Sequence, residues 1–128
     1  MNIEERAEKA AKLKMSGYNC CQAVAAALAD ETNLSEEDLM KLSAGFAAGM
    51  GTMEATCGAL IGANIVAGLK TEGQGTVRQS ANLLRNFKER CGATVCKDLK
   101  AMTDGKPLCP CEDCCRNAVR AYGEVFNI

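Results

Sequence analysis

Thr56-Cys57-Gly58-Ala59-Leu60-Ile61-Gly62-Ala63-Asn64-Ile65-Val66-Ala67-Gly68-Leu69 reads as a helix with a cysteine in its first turn and very small residues down one side. Gly58 and Gly62 are four apart, as are Ala59, Ala63 and Ala67, so the two rows occupy adjacent helical faces. Glycine inside a helix costs about 0.5–1 kcal/mol relative to alanine, and a close approach to the bare backbone is the gain that offsets it. Another helix, a cofactor or a second copy of the chain would fit there. Cys57 falls where free N–H groups and the positive end of the helix dipole favour a thiolate. Plain helix packing and an inert buried thiol explain the same residues. The other eight cysteines shift the balance toward chemistry.

Upstream, Ile3, Ala7, Ala10, Ala11 and the stem of Lys14 predict a helix from Ile3 to Met15, which Gly17 stops. Asn19 caps a second helix running from Cys20 to about Asp30. It opens with Cys20-Cys21, of which at most one can face any given site. Ser35 caps a third helix with Leu39, Leu42 and Phe46 as its buried stripe. The run Gly45-Phe46-Ala47-Ala48-Gly49-Met50-Gly51 is a tight, backbone-exposed connection; no strand precedes it and no Lys-Ser/Thr follows, so it is not a phosphate loop. Downstream, a long helix is expected from Thr76 to Cys91 with Val77, Leu83, Leu84 and Phe87 inward. Another spans Ala93 to Met102, Thr103 to Pro107 is a turn, and a last helix carries Val119, Tyr122, Val125 and Phe126. No stretch alternates with period two. The expected fold is all-α, a single-domain helical bundle of about five to seven helices over residues 1–128.

A chain of 128 residues buries roughly two-thirds of its unfolded surface without help from disulfides or metal. Net charge of −1 argues against nucleic acid; Arg78, Arg85, Lys88, Arg90, Lys97, Lys100 and Lys106 read as a solvated face. The charged start Met1-Asn2-Ile3-Glu4-Glu5-Arg6 carries no apolar signal core, and the run around Leu60 to Leu69 is too short to span a bilayer. A cytoplasmic location and no membrane partner are expected. There is no histidine, which removes the commonest general base and every mixed Cys/His zinc site.

Nine cysteines stand at 20, 21, 57, 91, 96, 109, 111, 114 and 115. In a reducing cytoplasm such a count points to metal or redox chemistry. Cys111-x-x-Cys114 has the spacing of half a zinc site or of a redox dithiol, but Cys91 and Cys96 supply a second half only weakly, and no βαβ context supports a thioredoxin reading. Thiolates converging from several helix ends suit an iron–sulfur cluster, and equally a dithiol pair that opens and closes. Spacing alone does not separate the two.

Three stretches carry a resemblance: Ser16-Gly17-Tyr18-Asn19-Cys20-Cys21-Gln22-Ala23-Val24, then Gly45 to Gly51, then Cys57-Gly58-Ala59-Leu60-Ile61-Gly62-Ala63. Together they resemble the redox-active proteins named for four cysteines and a C-G-A-x-x-G motif, the C_GCAxxG_C_C family, over nearly the whole chain. The resemblance implies a small helical protein, typical of anaerobic bacteria and archaea and without an established reaction. The four family cysteines match Cys20, Cys57, Cys96 (placed by Asp98-Leu99) and Cys115 (placed by Val119), with Cys111 and Cys114 as substitutes for the last. The family's helical module is also similar to part of the split-Soret cytochromes c, where an iron–sulfur cluster on cysteines has been proposed; here the haem motif C-x-x-C-H is absent. Cys21 stands where relatives often have serine, and Cys91, Cys109, Cys111 and Cys114 are extras.

The expectation is therefore a redox protein holding a 2Fe–2S cluster on Cys20, Cys57, Cys96 and Cys115, exchanging electrons with a redox partner protein. One alternative is thiol–disulfide chemistry with Cys57 as nucleophile and Cys20 or Cys96 as resolving thiol. Another is zinc held by the tail cysteines Cys109, Cys111, Cys114 and Cys115 in an interaction module. Cys91 is read as core filler, and the small-residue face leaves a homodimer open.

Overall fold

Alanine sets how closely the elements of this chain approach one another. The structure, a computed structural model, describes residues 1–128 and is all-α apart from one small ribbon. Its helices are α1 Ile3–Met15, α2 Cys20–Ala27, α3 Glu36–Ser43, α4 Gly58–Lys70, α5 Thr76–Cys91, α6 Cys96–Lys100 and α7 Cys111–Phe126. Short helical turns at Ala29–Glu31, Ala44–Phe46 and Gly49–Met53 fill the connections, and β1 Met102–Thr103 pairs antiparallel with β2 Lys106–Pro107. The starts of α1 and α2 are fixed by reciprocal capping boxes, Asn2 with Glu5 and Asn19 with Gln22. Ser35 caps α3 through the Asp38 N–H.

One contiguous core of 25 buried residues joins α1, α2, α4, α5 and α7, and much of it is alanine, with Leu28, Leu83, Phe87 and Tyr122 as its large members. Small side chains bring helix axes toward the short end of the 8–10 Å range. The approach between α2 and α4 is close. A Cβ on Gly62 would lie 2.6 Å from the Cys21 carbonyl oxygen, and one on Gly58 would lie 2.9 Å from the Phe46 carbonyl oxygen. The bare face of α4 thus packs against α2 of the same chain. At the surface α7 is tied to α1 by Arg120–Glu4 and Arg116–Glu8, and to α5 by Arg90–Glu124.

Several expectations are corrected. Leu42 is 53% exposed, because α3 turns Leu39 and Ser43 inward and the Ser43 hydroxyl is satisfied by the Leu39 carbonyl. The inward face of α5 is Leu83, Phe87 and Cys91, four apart; Val77 and Leu84 fall off it and are exposed. The second helix ends at Ala27 and continues to Glu31 only as a tight turn. The sixth ends at Lys100, and Met102 enters the ribbon, whose Asp104-Gly105 turn has both residues at positive φ. Cys57 is the N-cap of α4 rather than a first-turn residue. No helix is long and apolar enough to cross a membrane.

Candidate metal and redox site

Four cysteines mark the starts of four helices. Cys20, Cys96 and Cys111 are the first residues of α2, α6 and α7, and Cys57 caps α4. All four line one cavity of about 140 Å³, together with Lys14, Asn19, Ala47, Ala48, Gly58 and Lys100. The backbone holds them in place from several directions. Cys57 N–H donates to the Thr94 carbonyl at 2.7 Å and Cys96 N–H to the Ala55 carbonyl at 3.0 Å, around the bridge between Thr56 and Val95. Gly49, at positive φ, lets the glycine-rich turn lie on Cys96, since a Cβ there would sit 2.9 Å from the Cys96 Cβ. Ala48, which lines the cavity, is itself left-handed at φ 49°.

Cys20, Cys57 and Cys96 thus come to one cavity. Cys115, the fourth cysteine matched to the family, does not line it: its buried thiol donates to the Cys20 carbonyl at 4.0 Å. Cys111 takes the fourth place on the cavity wall. Cys21 does not line the cavity; it is fully buried, and burial pushes its thiol up to about 12.

Electrostatics differ from thiol to thiol. Cys57 is held down at about 7 by a bond from the Cys114 thiol and by the Ala59 and Leu60 N–H groups and Lys100, against the penalty of burial. Those N–H groups belong to the first turn of α4, as expected for a cysteine at a helix start. A bond from Cys111 lowers Cys20, but donation to Cys115 and burial outweigh it and bring Cys20 to about 12. Cys111 is pushed up by its donation to Cys20 and by burial, while the Lys100 ammonium opposes the rise.

A second group of thiols adjoins the first. The Sγ atoms of Cys91, Cys109 and Cys114 all lie within 4.8 Å of one another, buried, in a set positioned to hold a metal ion. Cys91 is held well below the ordinary thiol range by a bond from the Cys109 thiol and by the Asn117 amide at 3.5 Å. Cys91, read from the sequence as core filler, thus stands in a buried thiol group that could hold a metal ion. The tail cysteines do not converge as a zinc module would require: Cys109 and Cys114 join Cys91, while Cys111 and Cys115 join Cys20. Sequence reasoning also passed over Lys100, although it lies four residues after Cys96 on the same helical face, and it passed over Asn117. All nine cysteines are free.

Among known proteins, the model of the family described as "Putative redox-active protein (C_GCAxxG_C_C)" matches residues 18–125. No curated protein and no solved structure matches the chain.

Proposed function

We propose that this chain, which belongs to the C_GCAxxG_C_C family of redox-active proteins, is a cytosolic electron carrier holding a 2Fe–2S cluster on Cys20, Cys57, Cys96 and Cys111. The observation that carries the reading is the meeting of four helix-start cysteines in one cavity. An all-thiol donor set without histidine or carboxylate fits iron–sulfur chemistry. Such a cluster supplies a one-electron couple when bound. The residues of the chain would do the rest: the α4 first-turn N–H groups already directed at Cys57 stabilise sulfur charge, and Lys14 and Lys100 offset the negative charge of four thiolates. Cys111 replaces Cys115 in this set because it reaches the cavity wall.

Protein purified without air is expected to be brown, with iron and acid-labile sulfide near about two per chain. Cys57→Ser and Cys111→Ser should lose iron with the helical circular dichroism intact, and Cys115→Ser should keep it. Colourless wild-type protein, or full iron in Cys57→Ser, would remove this reading.

A second reading has a specific observation behind it, the contact between Cys57 and Cys114. The Cys57 thiolate would attack a substrate disulfide and release one thiolate. Cys114, not Cys20 or Cys96, would then displace the second, leaving a Cys57–Cys114 disulfide. Mass spectrometry after reaction with a small disulfide should find that bond. A mixed disulfide persisting on Cys57 would rule out Cys114 as resolving thiol.

A further inference from the structure

We infer that Cys91, Cys109 and Cys114 form a second metal site, separate from the cavity, that takes a single soft ion of the zinc(II) class. Three elements bring the thiols together: the last residue of α5, the loop after β2 and the first turn of α7. Each thiol is 5% exposed or less, and all three belong to the hydrophobic core. Metal–sulfur bonds of about 2.3 Å in a tetrahedron place sulfurs about 3.8 Å apart. Three sulfurs all within 4.8 Å of one another match one ion. They do not match a cluster, in which at most two cysteines share an iron.

The surroundings hold the three donors in place. Gly92, at φ 92°, ends α5 and lets Leu108 pack within 3.3 Å of where a Cβ would be, which seats Cys109 beside Cys91. Cys109 N–H donates to the Leu99 carbonyl and Cys114 N–H to the Pro110 carbonyl, so both donors are fixed by backbone. The Asn117 amide donates to Cys91 Sγ at 3.5 Å, an outer-shell contact of the kind that orients metal ligands. Three thiolates leave the fourth tetrahedral position of the ion to a water molecule, so no cavity ligand is needed.

The test uses the full chain, reduced and stripped of metal without air, titrated with cobalt(II) and then with zinc(II). One equivalent of cobalt should give the intense visible bands and thiolate charge transfer of a tetrahedral thiolate site, and zinc should erase them. Cys91→Ser and Cys109→Ser should each weaken cobalt binding by at least the roughly 10–100-fold typical of an outer-shell change, and Asn117→Leu by about tenfold. Cys20→Ser and Cys111→Ser should leave it unchanged. In the wild-type chain, which needs no variant to fold, zinc should protect Cys91, Cys109 and Cys114 from alkylation while Cys20 and Cys111 still react. Weak octahedral bands, bands persisting in the Cys91→Ser/Cys109→Ser double variant, or protection of Cys20 and Cys111 instead, would each overturn the site. Iron content in Cys91→Ser should equal that of wild type, so this inference and the cluster reading fail on different metals.

Discussion

Lys100 is half-buried at the cavity, where it donates to Cys111 and its charge lowers the Cys57 pKa. Desolvation opposes its charge, yet that bond and the field of the thiols keep it protonated. A fixed cation beside a thiolate-held cluster favours the reduced, more negative state. Lys100→Met should therefore shift the reduction potential to more negative values by tens of millivolts, since about 59 mV is a tenfold change for one electron. A redox titration of both proteins checks this, and an unchanged potential would place the cluster away from Cys111. At this scale Cys20 and Cys57 were legible as helix-start cysteines, from the Asn19 cap and the small-residue row, and Cys96 only through the family resemblance. Cys91 was not: its partners lie in a loop and another helix, and nothing local to residue 91 announces them. Lys100 was misread as part of a solvated face because a charge pattern does not show which lysine is folded inward.

Of the occupants the small-residue row left open, α2 of the same chain is the one packed against the bare backbone at Gly62. Gly62→Ala would put a methyl 2.6 Å from the Cys21 carbonyl, so main chain must retreat. Overpacking costs about 1–3 kcal/mol, which exceeds the helix-propensity gain of about 1 kcal/mol. On the same helix a Cβ at Gly68 would meet nothing within 4 Å, so Gly68→Ala should stabilise by up to about 1 kcal/mol. Opposite signs in paired denaturant titrations are the expected result; the same sign for both would mean that α4 is not held against α2 as described. Because α2 carries Cys20 and α4 carries Cys57, Gly62→Ala should also loosen metal loading, whereas Gly68→Ala should not. The boundaries of α1 and the end of α5 could be read to the residue, since Gly17 and Gly92 mark where they stop. The inward faces of α3 and α5 could not, because which leucine of a stripe turns inward depends on the neighbouring helix.

Across the whole molecule, the alanine-rich core is joined to a buried polar knot that no sequence pattern revealed. Arg6, on the buried side of α1, holds Asp30 at 2.6 Å and reaches Glu31 at 3.8 Å. Glu31 in turn takes the Tyr122 hydroxyl at 3.3 Å and Lys70 at 3.5 Å, so α1, α4 and α7 meet at one carboxylate after α2. The side chains of Arg6 and Glu31 are only 10% and 11% exposed, so removing one partner leaves charge out of water. Breaking a buried pair costs about 3–5 kcal/mol. The low end applies here because Asp30 is 62% exposed and Lys70 still faces Glu31. Arg6→Met should therefore destabilise by about 3 kcal/mol, a fall in Tm of roughly 10 °C for a chain of this size. The double variant Arg6→Met/Glu31→Gln should recover part of that loss, since a neutral amide still accepts from Tyr122 and no longer strands a charge. If Arg6→Met costs less than about 1 kcal/mol, or the double variant is no better than the single, the knot is a solvated surface pair and contributes as little as such pairs usually do.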